Sequence, residues 1–186
     1  MRLRPFQVLF SRISVDNIGL ASVRSQFMLI GIVLLSAGLR VWGIHHINIA
    51  HDEWAYINAA SQYASHIEQL DFRNVIGLSD NYEHPPFAKL VYALFLIGYP
   101  QKSMAYQDHP DIQELDSAAR EKLLRARIVA ALFGVLAVAL LAWLHPLAGL
   151  FLGIHTFAVQ YSSVVYLDAI PAFSSLLAVW AYDHWQ

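Results

Sequence analysis

Cysteine is absent from the 186 residues, so neither a disulfide framework nor a thiolate zinc site can exist. That absence leaves the cellular compartment open. Charge is scarce too: Asp, Glu, Lys and Arg make up 14% of the chain, against about 25% in soluble globular domains. The formal net charge of -2 gives no reason to expect a nucleic-acid partner. Three stretches, 25–39, 128–144 and 146–167, hold no Asp, Glu, Lys or Arg at all. Apolar runs of this length are candidates for transmembrane helices.

What fills the chain is apolar: 57% of it is hydrophobic, with five Trp, nine Tyr and ten Phe. The first 26 residues set Arg2, Arg4, Arg12 and Arg24 against a single Asp16, which marks 1–25 as a cytoplasmic segment under the positive-inside rule. Phe6, Val8, Leu9 and Phe10 suit a short surface element. The run that follows lacks a clear cleavage site and reads as an uncleaved signal anchor. The expected fold is all-α: a multi-pass integral membrane protein with about four crossings over 26–186. These are 26–44, 128–144, 148–166 and 172–182, at about 20 residues per crossing. Arg40 either pairs with Asp52 or Glu53 or snorkels to the interface.

Eleven of the fourteen acids fall in 45–125, which reads as a long outer loop. A structureless loop of that length is unusual, so interfacial helices are expected in it. Asp52 to Leu70 places Trp54, Ile57, Ala60 and Tyr63 at helical spacing, with Asp52 able to cap it and Glu53 in its first turn. The stretch 71–81 reads as a polar connection. Pro85-Pro86 opens a short apolar helix over 87–99 that carries Lys89. Residues 117–127 are helical and charged, running directly into the second crossing. His45, His46, His66 and His109 suit a solvated surface. His155 falls mid-helix in the third crossing.

His51-Asp52-Glu53-Trp54-Ala55-Tyr56, His84-Pro85-Pro86-Phe87-Ala88-Lys89, Arg127 with Phe133-Gly134, and Tyr166-Leu167-Asp168-Ala169-Ile170-Pro171 occur in that order. Together they resemble the front end of a GT-C membrane glycosyltransferase, with protein O-mannosyltransferases and lipid A aminoarabinose transferases as nearest relatives. The similarity spans about 26–183 and covers only the first part of that architecture, so it implies a truncated enzyme or one piece of a split one. It implies transfer of a sugar from a polyprenyl-phosphate donor to an acceptor hydroxyl on a protein, lipid or glycan, at the non-cytoplasmic face of the cell membrane. The implied partners include membrane lipid and further membrane subunits supplying the missing helices. Two rivals are a non-catalytic assembly subunit with a degenerate GT-C fold and a transporter fragment.

On this reading Asp52 is the general base, with Glu53 and Asp168 completing a catalytic carboxylate cluster. A lipid-phosphate leaving group needs cationic stabilisation, which Lys89 and Arg127 supply, with His84 beside them. His51 and His84, with the three acids, are the candidate ligands of a divalent metal ion.

Overall fold

The computed structural model describes residues 20–78, 86–99 and 111–185. The expected surface element at Phe6–Phe10, and His84, Pro85 and His109, lie outside the described residues. Eight helices are present among the described residues, and no strand. They are α1 Leu20–His46, α2 Glu53–Glu68, α3 Phe72–Gly77, α4 Pro86–Leu96, α5 Ser117–Leu144, α6 Pro146–Ile154, α7 Thr156–Tyr161 and α8 Ala169–Trp185.

Helix α5 is the central column. It packs against α1, α4, α6 and α8, while α2 and α4 pack on each other. Asp116 starts α5 by accepting the Ala119 N–H at 2.9 Å. The small residues Ala126, Ala130, Ala131, Gly134, Ala137 and Ala142 line its buried face and let neighbours approach closely. At the far end Pro146 occupies the first turn of α6, where its missing N–H costs nothing. The returning α6 lies so close that a Cβ on Gly149 would run into the Ala142 backbone. One core cluster gathers Trp54, Ile57, Tyr63, Tyr92, Leu96, Leu123, Val129 and Ile170. A smaller one joins Ile32, Val138 and Ala142.

The all-α class holds, but the multi-pass arrangement does not. Among the described residues two helices, Ser25–His46 and Ser117–Leu144, are long and apolar enough to cross a membrane, by length and composition alone. The expected third crossing is broken at His155, whose extended backbone (φ -63°, ψ 122°) separates the nine-residue α6 from the six-residue α7. From Ser162 the chain leaves helix and runs buried through Val165. Helix α8 covers 17 residues, Ala169–Trp185. The four-crossing frame, and with it the cell-membrane placement of an outer-face site, is overturned. Helices distant in sequence instead pack on one another, with α1, α5 and α8 as neighbours. The polar connection expected over 71–81 contains α3, capped by Asp71, which accepts the Asn74 N–H.

Helix α2 ends in a Schellman motif. The Asp71 N–H reaches the His66 carbonyl (2.9 Å) and the Leu70 N–H reaches that of Ile67 (3.0 Å). This places Leu70 at φ 57°, a left-handed backbone that a side chain makes costly. Leu70 is also 73% exposed, so its side chain gains little from packing. Leu70→Gly is expected to stabilise the protein by about 0.5–1 kcal/mol, read as a raised urea midpoint with unchanged slope. A lowered midpoint would show that the turn is not strained.

Candidate functional site

Glu53 and Arg127 are both 0% exposed and meet across 74 positions of sequence. Arg127 Nε donates to Glu53 Oε1 at 2.9 Å, and Nη2 donates to Oε2 at 2.6 Å, a bidentate pair. The remaining capacity of both groups is taken by backbone. Glu53 accepts the N–H of Ala50 (2.9 Å) and of Val165 (2.7 Å). Arg127 donates to the carbonyls of Ile44 (2.9 Å), Ile47 (2.8 Å) and Asn48 (3.2 Å). Carbonyls at the end of a helix have no partner within it. Arg127 therefore closes the end of α1, while Glu53 opens α2 and fixes the buried segment before α8 through the Val165 N–H.

Two further carboxylates stand beside this pair and remain open. Asp52 occupies the N-cap position of α2, but its side chain makes no capping hydrogen bond. Asp168 precedes α8, where its backbone carbonyl accepts the Ala172 N–H at 3.0 Å. Neither carboxylate has a hydrogen bond or ion pair among the described residues. Both act on the same tyrosines. Burial, then the charges of Asp52, Tyr166 and Asp168, push the Tyr56 phenol up to about 12. Burial and Asp52, followed by Tyr161, Glu53 and Asp168, raise that of Tyr166. The Tyr56 and Tyr166 rings meet edge to face with centroids 6.0 Å apart, and Tyr161 meets Tyr166 likewise at 5.1 Å. Below them the buried Tyr92 hydroxyl donates to the Tyr166 carbonyl at 2.6 Å, and burial with the charges of Glu53 and Asp168 raises its pKa.

Of the residues singled out in the sequence, Asp52, Glu53, Arg127 and Asp168 surround one region. Lys89 is 1% exposed on α4 and lines a different cavity, of about 370 Å³, with Tyr63, Val75, Ile76 and Leu78. His84 lies outside the described residues. Arg40 does not pair with Asp52 or Glu53. It is 1% exposed and donates to Ser162 Oγ (2.7 Å), Ser36 Oγ (2.6 Å), and the carbonyls of Ser36 and Gly153. Its depth along α1 sets it beside α6 and the Ser162 turn, while Arg127 has already claimed Glu53. His155 is a helix break instead of a mid-helix residue. No group of three or more His, Asp or Glu is placed to hold a metal ion among the described residues. Tyr56, Tyr161 and Tyr166 join this region although no sequence motif assigns them a role. The signal was present for two of them: Tyr56 lies four residues after Asp52, on the same helix face, and Tyr166 lies two before Asp168.

No known protein family, curated protein or solved structure matches this chain. The resemblance to GT-C glycosyltransferases is therefore not upheld. With no matching family and no multi-pass frame, sugar transfer is overturned as the activity. Its polyprenyl-phosphate donor, glycan, lipid or protein acceptor, membrane lipid and further membrane subunits go with it. So do the degenerate GT-C subunit and the transporter fragment, which needed the same frame.

Breaking a buried ion pair by removing one partner strands the other charge. Glu53→Gln or Arg127→Met alone is expected to cost about 3–5 kcal/mol in urea unfolding. The double change Glu53→Met/Arg127→Met should cost clearly less than the sum of Glu53→Met and Arg127→Met, the mark of direct coupling. Additive losses would contradict the pairing.

A second expectation concerns protons. The Tyr56 phenol has an ordinary pKa of 10.0 and one of about 12 in the fold. The folded chain therefore holds more protons than the unfolded chain across that window. Stability from Tyr56 is complete below pH 10 and lost as pH rises toward 12. Asp52→Asn removes a charge beside Tyr56 and Tyr166 and should let both ionise at lower pH, read by tyrosinate absorbance. An unchanged titration would place Asp52 away from these rings.

Proposed function

We propose that this protein binds a small organic cation at the mouth formed by Asp52, Asp168, Tyr56 and Tyr166. The observation that carries this reading is the pair of carboxylates that the fold leaves open. They come from elements 116 positions apart, both charge the same two tyrosines, and neither is matched by a cation among the described residues. An ammonium group between the two carboxylates donates charge-assisted hydrogen bonds to them and offsets their like charge. Tyrosine ring faces attract the same kind of group, by about 0.5–1 kcal/mol at exposed sites. The buried Glu53–Arg127 pair beneath the mouth holds the start of α2 and the segment before α8 in register. A ligand then meets a preformed site and need not order one.

Titration with n-butylammonium, followed by calorimetry, tests the reading, with n-butanol as the neutral comparator. Binding of the ammonium and not of the alcohol is expected. Asp52→Asn and Asp168→Asn should each weaken it roughly tenfold, about 1.4 kcal/mol. Added salt should weaken it further. Equal affinity for the alcohol, or indifference to both substitutions, would refute the cation site.

A further inference from the structure

A cavity of about 120 Å³ lies between α1, α5, α6, α7 and α8. Small side chains make the room. Gly134 and Ala137 come from α5, Ala158 from α7 and Ala172 from α8. Leu152 and Ala158 wall the cavity from either side of the His155 break. Asp168 of the cation mouth lines it too, as does Tyr161. The Tyr161 ring meets that of Tyr166 edge to face at 5.1 Å, and Asp168 charges Tyr56 and Tyr166. The surface that faces the cavity is nevertheless almost wholly apolar. Arg40, another lining residue, turns its guanidinium N–H groups to Ser36, Ser162 and Gly153. Interiors pack densely, and a void forfeits the dispersion contacts its walls would otherwise make. An apolar void stays dry and takes apolar guests.

We propose that this cavity holds the apolar tail of the cation, so that the ligand is a primary monoamine on a short alkyl chain. The ammonium stays outside, at the carboxylates of Asp52 and Asp168. The chain passes Tyr161 into the space between Ala137, Leu152, Ala158 and Ala172. This rests on the cation-binding reading and names the ligand class for it. Volume sets the length of the tail. A dry cavity of about 150 Å³ accommodates the six carbons of benzene, so one of about 120 Å³ takes about four or five. Charge sets what the tail can carry. A second ammonium at its far end would lose its water against apolar walls. The one cation among the lining residues, Arg40, has the same sign as that ammonium. A diamine of the same length is therefore kept out of the cavity.

The test is calorimetry on the full chain with methyl-, n-butyl-, n-pentyl- and n-octylammonium, 1,4-diammoniobutane and n-pentanol. Affinity is expected to rise roughly fourfold per added methylene from methyl to n-pentyl, and to stop rising by n-octyl. n-Butylammonium should bind at least roughly tenfold more tightly than the diamine of equal length. Ala172→Leu, at an exposed wall position, narrows the cavity. It should cut the preference for n-pentyl over methyl at least roughly tenfold, with methylammonium affinity and the helical circular dichroism unchanged. Leu152→Ala widens the cavity and should carry the rise beyond n-pentyl. A flat series, a diamine bound more tightly than n-butylammonium, or a chain-length preference indifferent to both substitutions overturns the tail pocket and leaves the cation mouth standing. n-Pentanol binding as tightly as n-pentylammonium, with both weakened by Ala172→Leu, overturns the cation mouth and leaves the apolar pocket standing.

Discussion

The buried contact between Glu53 and Arg127 is the constraint on which the rest depends. It is the only fully buried ion pair among the described residues, and it satisfies five backbone groups besides its own charges. Those groups belong to the turn after α1, the entry to α2 and the segment before α8. Three chain regions that hydrophobic packing alone would leave free to slide are thus tied to one ion pair between α2 and α5. Hydrophobic burial is non-directional, so a pair with fixed hydrogen-bond geometry is the more exacting device for setting register. Such pairs gain little net stability over apolar replacements. Their value here is positional: Asp52 neighbours Glu53 in sequence, and Asp168 follows Val165 by three residues.

A second consequence concerns where charge is used and where it is left open. Arg127 is matched by a carboxylate and Arg40 only by neutral acceptors, although both are buried on long apolar helices. Asp52 and Asp168 lie nearer solvent with no partner among the described residues. The structure therefore separates a closed electrostatic core from an open acidic rim and a half-satisfied cation beneath it. The proposed ligand chemistry follows from that separation.

Much of the helical content was legible in the sequence. Asp116 followed by a charged turn and then 128–144 announces α5, and Pro86 announces α4, because capping and proline placement are local chemistry. The break at His155 was not legible, because the run 146–167 is uniformly apolar and hydropathy reports composition without backbone path. That one break removes a crossing and with it the multi-pass topology. Glu53, Arg127, Asp52 and Asp168 were all visible as charges in an apolar chain. Their pairing was not, since 74 positions separate Glu53 from Arg127 and nothing local selects Arg127 over Arg40 as its partner. Arg40 was closer in sequence to the acids, yet it turns to Ser36 and Ser162.

The absence of cysteine makes the central claim directly measurable, because introduced thiols are the only ones present. Spin labels at Ala55→Cys and Ala172→Cys, both exposed positions, report the separation of α2 and α8 by electron–electron dipolar spectroscopy. A single narrow distance distribution is expected in the otherwise unchanged chain, broadening when Glu53→Gln is added. A distribution already broad before that change, or one that Glu53→Gln leaves untouched, would show that the buried pair does not hold the two sides of the mouth together.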